Sequence, residues 1–218
     1  MNMRINSLEE LNIHIIACQK CSRLVTYLKQ TGEKKVKRFK NDTYWAKPVP
    51  SFGDPSAKIL ILGLAPGAHG ANRTGRIFSG DKSGQWLYKA LFDAGLSNQA
   101  YSSSVNDGLK LRNVWISNVI HCVPPQNKPL KEEISACHEF LETEIKLIKN
   151  LTTILCLGKI AFDECKKLYK LKGAKFAHGT SFKVDNLSIL CSYHPSQQNT
   201  QTGRLTWEMW ADIFDRIK

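Results

Sequence analysis

Four short apolar runs, each closed by a glycine or polar residue, constrain the fold of this chain more than any other feature. They are KILILG at 58–63, NVWISNVI at 113–120, TTILCLG at 152–158 and the segment 188–192. Runs this short and this uniformly apolar read as strands buried on both faces. Helical stripes follow them. Leu87, Ala90, Leu91 and Ala94 recur at helical spacing before Gly95, and Ile134, Cys137, Leu141, Ile145 and Ile148 line a second helix. A third helix is expected from Lys159 to about Lys170, and Thr206, Trp210, Ile213 and Ile217 stripe a last one. Alternating strands and helices predict an α/β fold with a parallel sheet covered on both faces, whose ligands bind beyond the carboxyl ends of the strands. Those ends carry GLAPGAHG, SNVIHC, CLGK and CSYHPSQQN. No internal repeat or linker divides the sequence, so residues 1–218 are expected to form a single domain.

The N-terminal third reads differently. Residues 7–28 are predicted as a helix, with Cys18 and Cys21 inside it. Residues 29–40 then carry six cationic side chains against one Glu, which suits either a solvated face or an arm on phosphates. Asn41 to Pro55 is rich in turn formers and is expected as a loop. The whole chain holds 31 Lys and Arg against 19 Asp and Glu, a formal charge of +12 that favours polyanionic partners. With 42% hydrophobic and 23% charged residues the chain is neither disordered nor low-complexity. No run approaches the roughly 20 apolar residues of a membrane span. An odd count of seven cysteines, too sparse for a disulfide scaffold, suits a reduced cytoplasmic protein.

Two motifs need weighing against plainer readings. Gly70 to Ile77 nearly matches a phosphate-binding loop, but Arg76 stands where the lysine belongs and Ile77 cannot ligate magnesium. The glycines fit close approach of backbone to a flat ligand instead. Cys156, Cys165 and Cys191 lie in apolar runs and read as small core residues. Cys18 and Cys21, with two residues between them, can face one ion, with Cys122 and Cys137 supplying two further thiolates; spacing does not separate zinc from an iron-sulfur cluster. Phe78, Asn118, Asn127 and His194 gather at the predicted ligand edge. Core packing and a turn cap would explain the first two singly, but a ring to stack on and amide or imidazole donors together are what a base pocket needs.

The strings GLAPGAHGANRTGRIFSGD (63–81), SNVIHCVPPQNKP (117–129) and YHPSQQNTQTGRLT (193–206) resemble the uracil-DNA glycosylase superfamily, above all its type-5 branch. CQKCSRLV (18–25) and TYWAKPVPSFGDP (43–55) are similar to that branch too. The resemblance implies a three-layer α/β/α fold around a four-stranded parallel sheet. It implies an enzyme that flips uracil out of DNA and hydrolyses its N-glycosidic bond. It also implies a structural [4Fe-4S] cluster on Cys18, Cys21, Cys122 and Cys137, with segment 1–55 supplying the first two.

By the same resemblance Phe78 stacks on uracil, Asn118 reads its edge, and His194 donates toward the base oxygen on which negative charge grows. Gly63, Ala65 and Gly67 form the pocket wall. Ser196, Gln197, Gln198 and Arg204 are expected at DNA, with a Gln filling the vacated stack. Ala65 stands where other branches carry a water-activating Asp, so the general base is unassigned. Asp81 and Asn127 are the candidates, although Asp81 would equally serve as a helix cap. The branch is associated with a wider range of deaminated bases, hypoxanthine and xanthine among them. A monomer is expected. A non-catalytic iron-sulfur protein that binds nucleic acid is the alternative from another class, and a zinc-stabilised nucleotide-binding protein a third.

Overall fold

The computed structural model describes residues 5–218. Their elements run α1 (Leu8–Ala17), α2 (Ser22–Lys34), β1 (Phe52–Gly53), β2 (Ile59–Gly63), α3 (Ala71–Thr74) and α4 (Lys82–Asp93). Then come β3 (Val114–Asn118), α5 (Lys131–Leu147), β4 (Thr153–Leu157), α6 (Lys159–Leu168), β5 (Ser181–Val184), β6 (Leu187–Ser192), α7 (Gln197–Gln201) and α8 (Trp207–Asp215). The four expected strands form the parallel centre of the sheet, in the order β3, β2, β4, β6. Two further strands, β1 and β5, extend it antiparallel at the edges, so the full sheet has six strands and is mixed.

Period-two alternation divides the apolar runs between two cores. From β2, Leu60 and Leu62 join Leu11 and Ile15 of α1, Leu24 and Leu28 of α2, Leu141 of α5 and Phe162 of α6 on one face. Ile59 and Ile61 pack on the other with Leu87 and Leu91 of α4 and Trp210 and Ile213 of α8. Helices therefore cover both faces, giving the three layers.

The predicted helix over 7–28 is instead two helices. Ser7 caps α1 by accepting from the Glu10 amide, and the chain turns extended at Cys18 (φ −66°, ψ 133°) before Cys21 opens α2. Apolar spacing runs through the joint because both helices bury a face in the same core, and so conceals the break. The Arg23 fork fastens it to α5, its Nε and Nη2 donating to the two Glu133 carboxylate oxygens at 2.7 and 2.6 Å. The basic segment divides likewise, α2 continuing to Lys34 and a 3₁₀ turn covering Lys37–Phe39.

Candidate active site

Register places the site. In the parallel β2–β3 pair, Gly63 lies opposite Asn118 at the carboxyl ends of both strands. A cavity of about 510 Å³ opens beyond that edge, lined among others by Ala65, Gly67, Phe78, Asp81, Asn127, His194, Ser196 and Gln198. These residues come from three separate stretches of chain, and the sheet edge brings them together.

Phe78 is the apolar wall. Its backbone is left-handed (φ 52°), a strained conformation for a bulky residue that the surrounding structure must enforce. The Tyr88 hydroxyl donates to the preceding Ile77 carbonyl at 2.6 Å, and α4 packs on the Phe78 carbonyl so tightly that a Cβ on Gly84 would stand 1.8 Å from its oxygen. The ring lies over Gly63, where a Cβ would come within 2.7 Å of Phe78 Cζ and 2.5 Å of Asn118 Oδ1. His194 faces the same ring, centroids 5.7 Å apart and planes 28° apart. Burial lowers the His194 pKa to about 4, so its imidazole is neutral at pH 7, with one N–H to donate.

Asn118 is buried, and among the described residues neither its Oδ1 nor its Nδ2 has a partner. Such an amide is costly unless something pairs with it. Its Oδ1 lies beside Gly63 next to the Phe78 ring, just off the cavity lining.

Asp81 is engaged twice. It caps α4, Oδ1 accepting from the Gly84 amide at 2.9 Å, and it also lines the cavity. Its Oδ2 occupies a slot that only glycines allow: a Cβ would lie 2.9 Å from it on Gly67 and 2.6 Å on Gly70. Burial raises the carboxyl pKa, opposed by the Gly84 and Ser83 amides and the Arg73 charge. Asn127 reaches the cavity from a 3₁₀ turn over Pro125–Asn127, with Gln126 and Asn127 both left-handed.

Of the four expected DNA contacts, Ser196 and Gln198 reach the cavity rim, where the Ser196 side chain caps α7 by accepting from the Asn199 amide. Gln197 is exposed on the same short helix, and Arg204 lies outside the lining, stacked 4.6 Å above the Tyr193 ring. Arg76, at the phosphate-lysine position, turns inward to donate to Val105 O at 2.7 Å and lies 3.5 Å over the Phe52 ring, which removes the nucleotide-loop reading. Sequence reasoning missed Gly84 and Arg73; a glycine in a first helical turn was the one visible sign of the former.

The four candidate ligand thiols come from the α1–α2 joint (Cys18, Cys21), the segment after β3 (Cys122) and α5 (Cys137), and all pack against one core cluster. None is in a disulfide. Burial first, then the charges of Cys137, Cys18 and Cys21, push the Cys122 thiol up, and burial with Cys18 and Cys21 raises Cys137 to about 11. Among the described residues no three His, Cys, Asp or Glu side chains stand in the geometry of a metal site. Four thiols on one core cluster are the soft donors that an iron-sulfur cluster takes.

A ring to stack on, a neutral imidazole and a carboxylate around one cavity, with a free amide just off its lining, define a site for a planar, polar heterocycle. The sequence matches the uracil DNA glycosylase superfamily over residues 50–217. It is 43% identical to the type-5 uracil-DNA glycosylase of Thermus thermophilus over 94% of each chain. The type-5 enzyme of Pyrobaculum aerophilum is 41% identical over 93% of this chain and 88% of its own, and that of Mycobacterium bovis 41% identical over 97% and 81%. The chain belongs to the uracil DNA glycosylase superfamily, within the range of its type-5 members.

Proposed function

We propose that this protein excises uracil from DNA as a type-5 uracil-DNA glycosylase, leaving an abasic site. The observation that carries it is the stacking of Phe78 and a neutral His194 on each other at the wall of a cavity that the Asp81 carboxylate also lines. In the reaction the bond from C1′ of deoxyribose to N1 of uracil breaks and its electron pair leaves with the base. Water oxygen then bonds to C1′, and its proton passes to solvent or the departing base. A donor placed at the oxygen where uracil gains charge stabilises the transition state more than the substrate. A neutral imidazole does this without itself losing charge, which is the role assigned to His194. Asn118, with donor and acceptor both free, reads the base edge, while Phe78 stacks on it.

With Ala65 supplying no carboxylate, Asp81 orients water or balances the positive sugar, and a carboxyl with raised pKa is the better base for it. Asn127 assists from across the cavity. Ser196 and Gln198 contact the flipped strand, Gln197 and Arg204 the flanking duplex. A pocket free of a side chain beyond Cβ at position 65 leaves room for larger deaminated bases such as hypoxanthine and xanthine.

The four thiolates would hold a [4Fe-4S] cluster, which supplies cross-linking rather than chemistry by tying the α1–α2 joint to the segment after β3 and to α5. The protein would act as a cytoplasmic monomer at the nucleoid; among the described residues no helix is long and apolar enough to cross a membrane. The direct test is incubation with a uracil-containing duplex followed by alkali. Strand breaks at uracil support the reading, and uncleaved duplex that is still bound would leave the non-catalytic alternative standing in its place.

A further inference from the structure

The 67–81 loop has an internal fastener. Arg73 is only 16% exposed at its side chain, and each edge of its guanidinium is engaged. Nε donates to the His69 carbonyl at 2.9 Å, Nη1 to the Asp42 carboxylate at 2.8 Å, and Nη2 reaches the Gly80 carbonyl at 3.5 Å. One face lies 3.9 Å above the Phe39 ring. The two carbonyls belong to the two arms of the loop that flank the Asp81 carboxylate. One arm carries Gly67 and Gly70, against which Oδ2 sits, and the other ends at Gly80, immediately before Asp81. Gly80 is left-handed (φ 75°), and a Cβ there would stand 2.7 Å from Arg73 Nη2. A planar fork with fixed donors suits this double grip, whereas a lysine ammonium could reach one arm at a time.

We propose that Arg73 is a positioning residue for Asp81, closing the two loop arms so that the carboxylate is held in its glycine slot at the cavity wall. The proposal rests on the glycosylase reading and deepens it. It adds that the contacts of Phe39 and Asp42 with Arg73 join the end of the basic segment to the reacting centre.

The test measures single-turnover excision against pH, together with binding to an abasic-site duplex, for R73Q and D42N. R73Q is expected to lower the rate about 10- to 100-fold, as small misplacements of a reacting group do, with abasic-site affinity retained. Its acid limb should also move to higher pH, because the cation that favours the ionised carboxylate is gone. The other groups facing Asp81 are the amides of Ser83 and Gly84 and the Tyr88 hydroxyl, which burial pushes far up; His194 and Lys159 line the same cavity. The substitution leaves all of these in place. D42N keeps the guanidinium and weakens only the Nη1 contact, from an ion pair to a neutral hydrogen bond, so a smaller fall with an unmoved limb is expected, and it serves as the second variant if R73Q does not fold. A normal R73Q rate, an unmoved R73Q limb, or rate and abasic-site binding falling together would overturn the proposal. An inactive wild-type protein would instead overturn the glycosylase reading itself.

Discussion

Gly63 and Phe78 are in such close contact that a single methyl group on the strand would meet the ring at 2.7 Å. The same methyl would press on Asn118 Oδ1 at 2.5 Å. The end of β2 therefore sets the position of the stacking wall and of the free amide at once. Because Phe78 is already held in a strained backbone conformation, its ring cannot retreat without cost. G63A is expected to lower single-turnover excision about 10- to 100-fold with the fold preserved at permissive temperature. A variant excising at the wild-type rate would show that neither residue needs its present place.

The double engagement of Asp81 separates into two measurable effects. Asn caps helices about as well as Asp, so D81N should melt close to wild type yet lose most of its rate. D81A removes the cap as well and is expected to lose a further 0.5 to 2 kcal/mol, roughly, of stability. Rate and melting temperature measured on both variants decide the matter: normal excision by D81N would leave Asp81 a cap and nothing more.

What the sequence made visible follows from which signals are local. The four central strands were legible because strands buried on both faces are apolar throughout, as in Ile59 to Leu62. The edge strands were not: β1 is two residues long, and β5 alternates exposed and half-buried residues, as surface loops also do. The break at Cys18–Cys21 was hidden by apolar spacing that two helices on one core share. In the site, Phe78, Asn127 and His194 were legible as a group because this fold class binds ligands at the strand ends. Asn118 of the same group lies off the cavity lining, and Asp81 came only from the resemblance of its motif. Arg73 was not legible, because its significance lies in carbonyls of His69 and Gly80 brought together by a loop path that no local pattern encodes.

The half-buried His194 imidazole at the cavity wall makes a prediction about pH. His194 has its pKa lowered from 6.5 to about 4 in the folded protein, so between those values the unfolded chain takes up a proton that the folded one refuses. Stability must then fall as pH drops from about 6.5 toward 4 and level off below that, while above 6.5 this group contributes no slope. H194Q, which has nothing to titrate, should show a shallower loss over the same window by chemical denaturation. Identical curves for the two proteins would mean that the imidazole is not shielded as described. Excision should correspondingly show no inflection near 6.5.

Charge on the arm is testable by salt. Lys34, Lys37 and Lys40 are exposed, and Phe39 between them packs under Arg73 beside the reacting loop. If these cations meet phosphates, K34E/K37E/K40E should weaken binding to all duplexes alike. The slope of log affinity against log salt should become shallower by roughly one for each phosphate no longer neutralised. An unchanged slope would assign these residues to a solvated face.

The seven cysteines divide into two sets whose replacement should have opposite results. Cys165 is fully buried with its Sγ 3.5 Å from that of Cys156, a core position where a serine hydroxyl costs some stability but touches none of the four proposed ligands. Cys137 stands on α5 beside the joint that Cys18 and Cys21 form. If the four thiolates carry a cluster, the anaerobically purified protein should be brown, with iron and sulfide in equal amounts of about four per chain. C165S should keep both, whereas C137S should lose iron, colour and cooperative unfolding together, because binding energy of a cross-linking cofactor is also folding energy. Zinc in a colourless anaerobic preparation would replace the cluster with a single ion. Iron retained at full level in C137S would remove α5 from the ligand set.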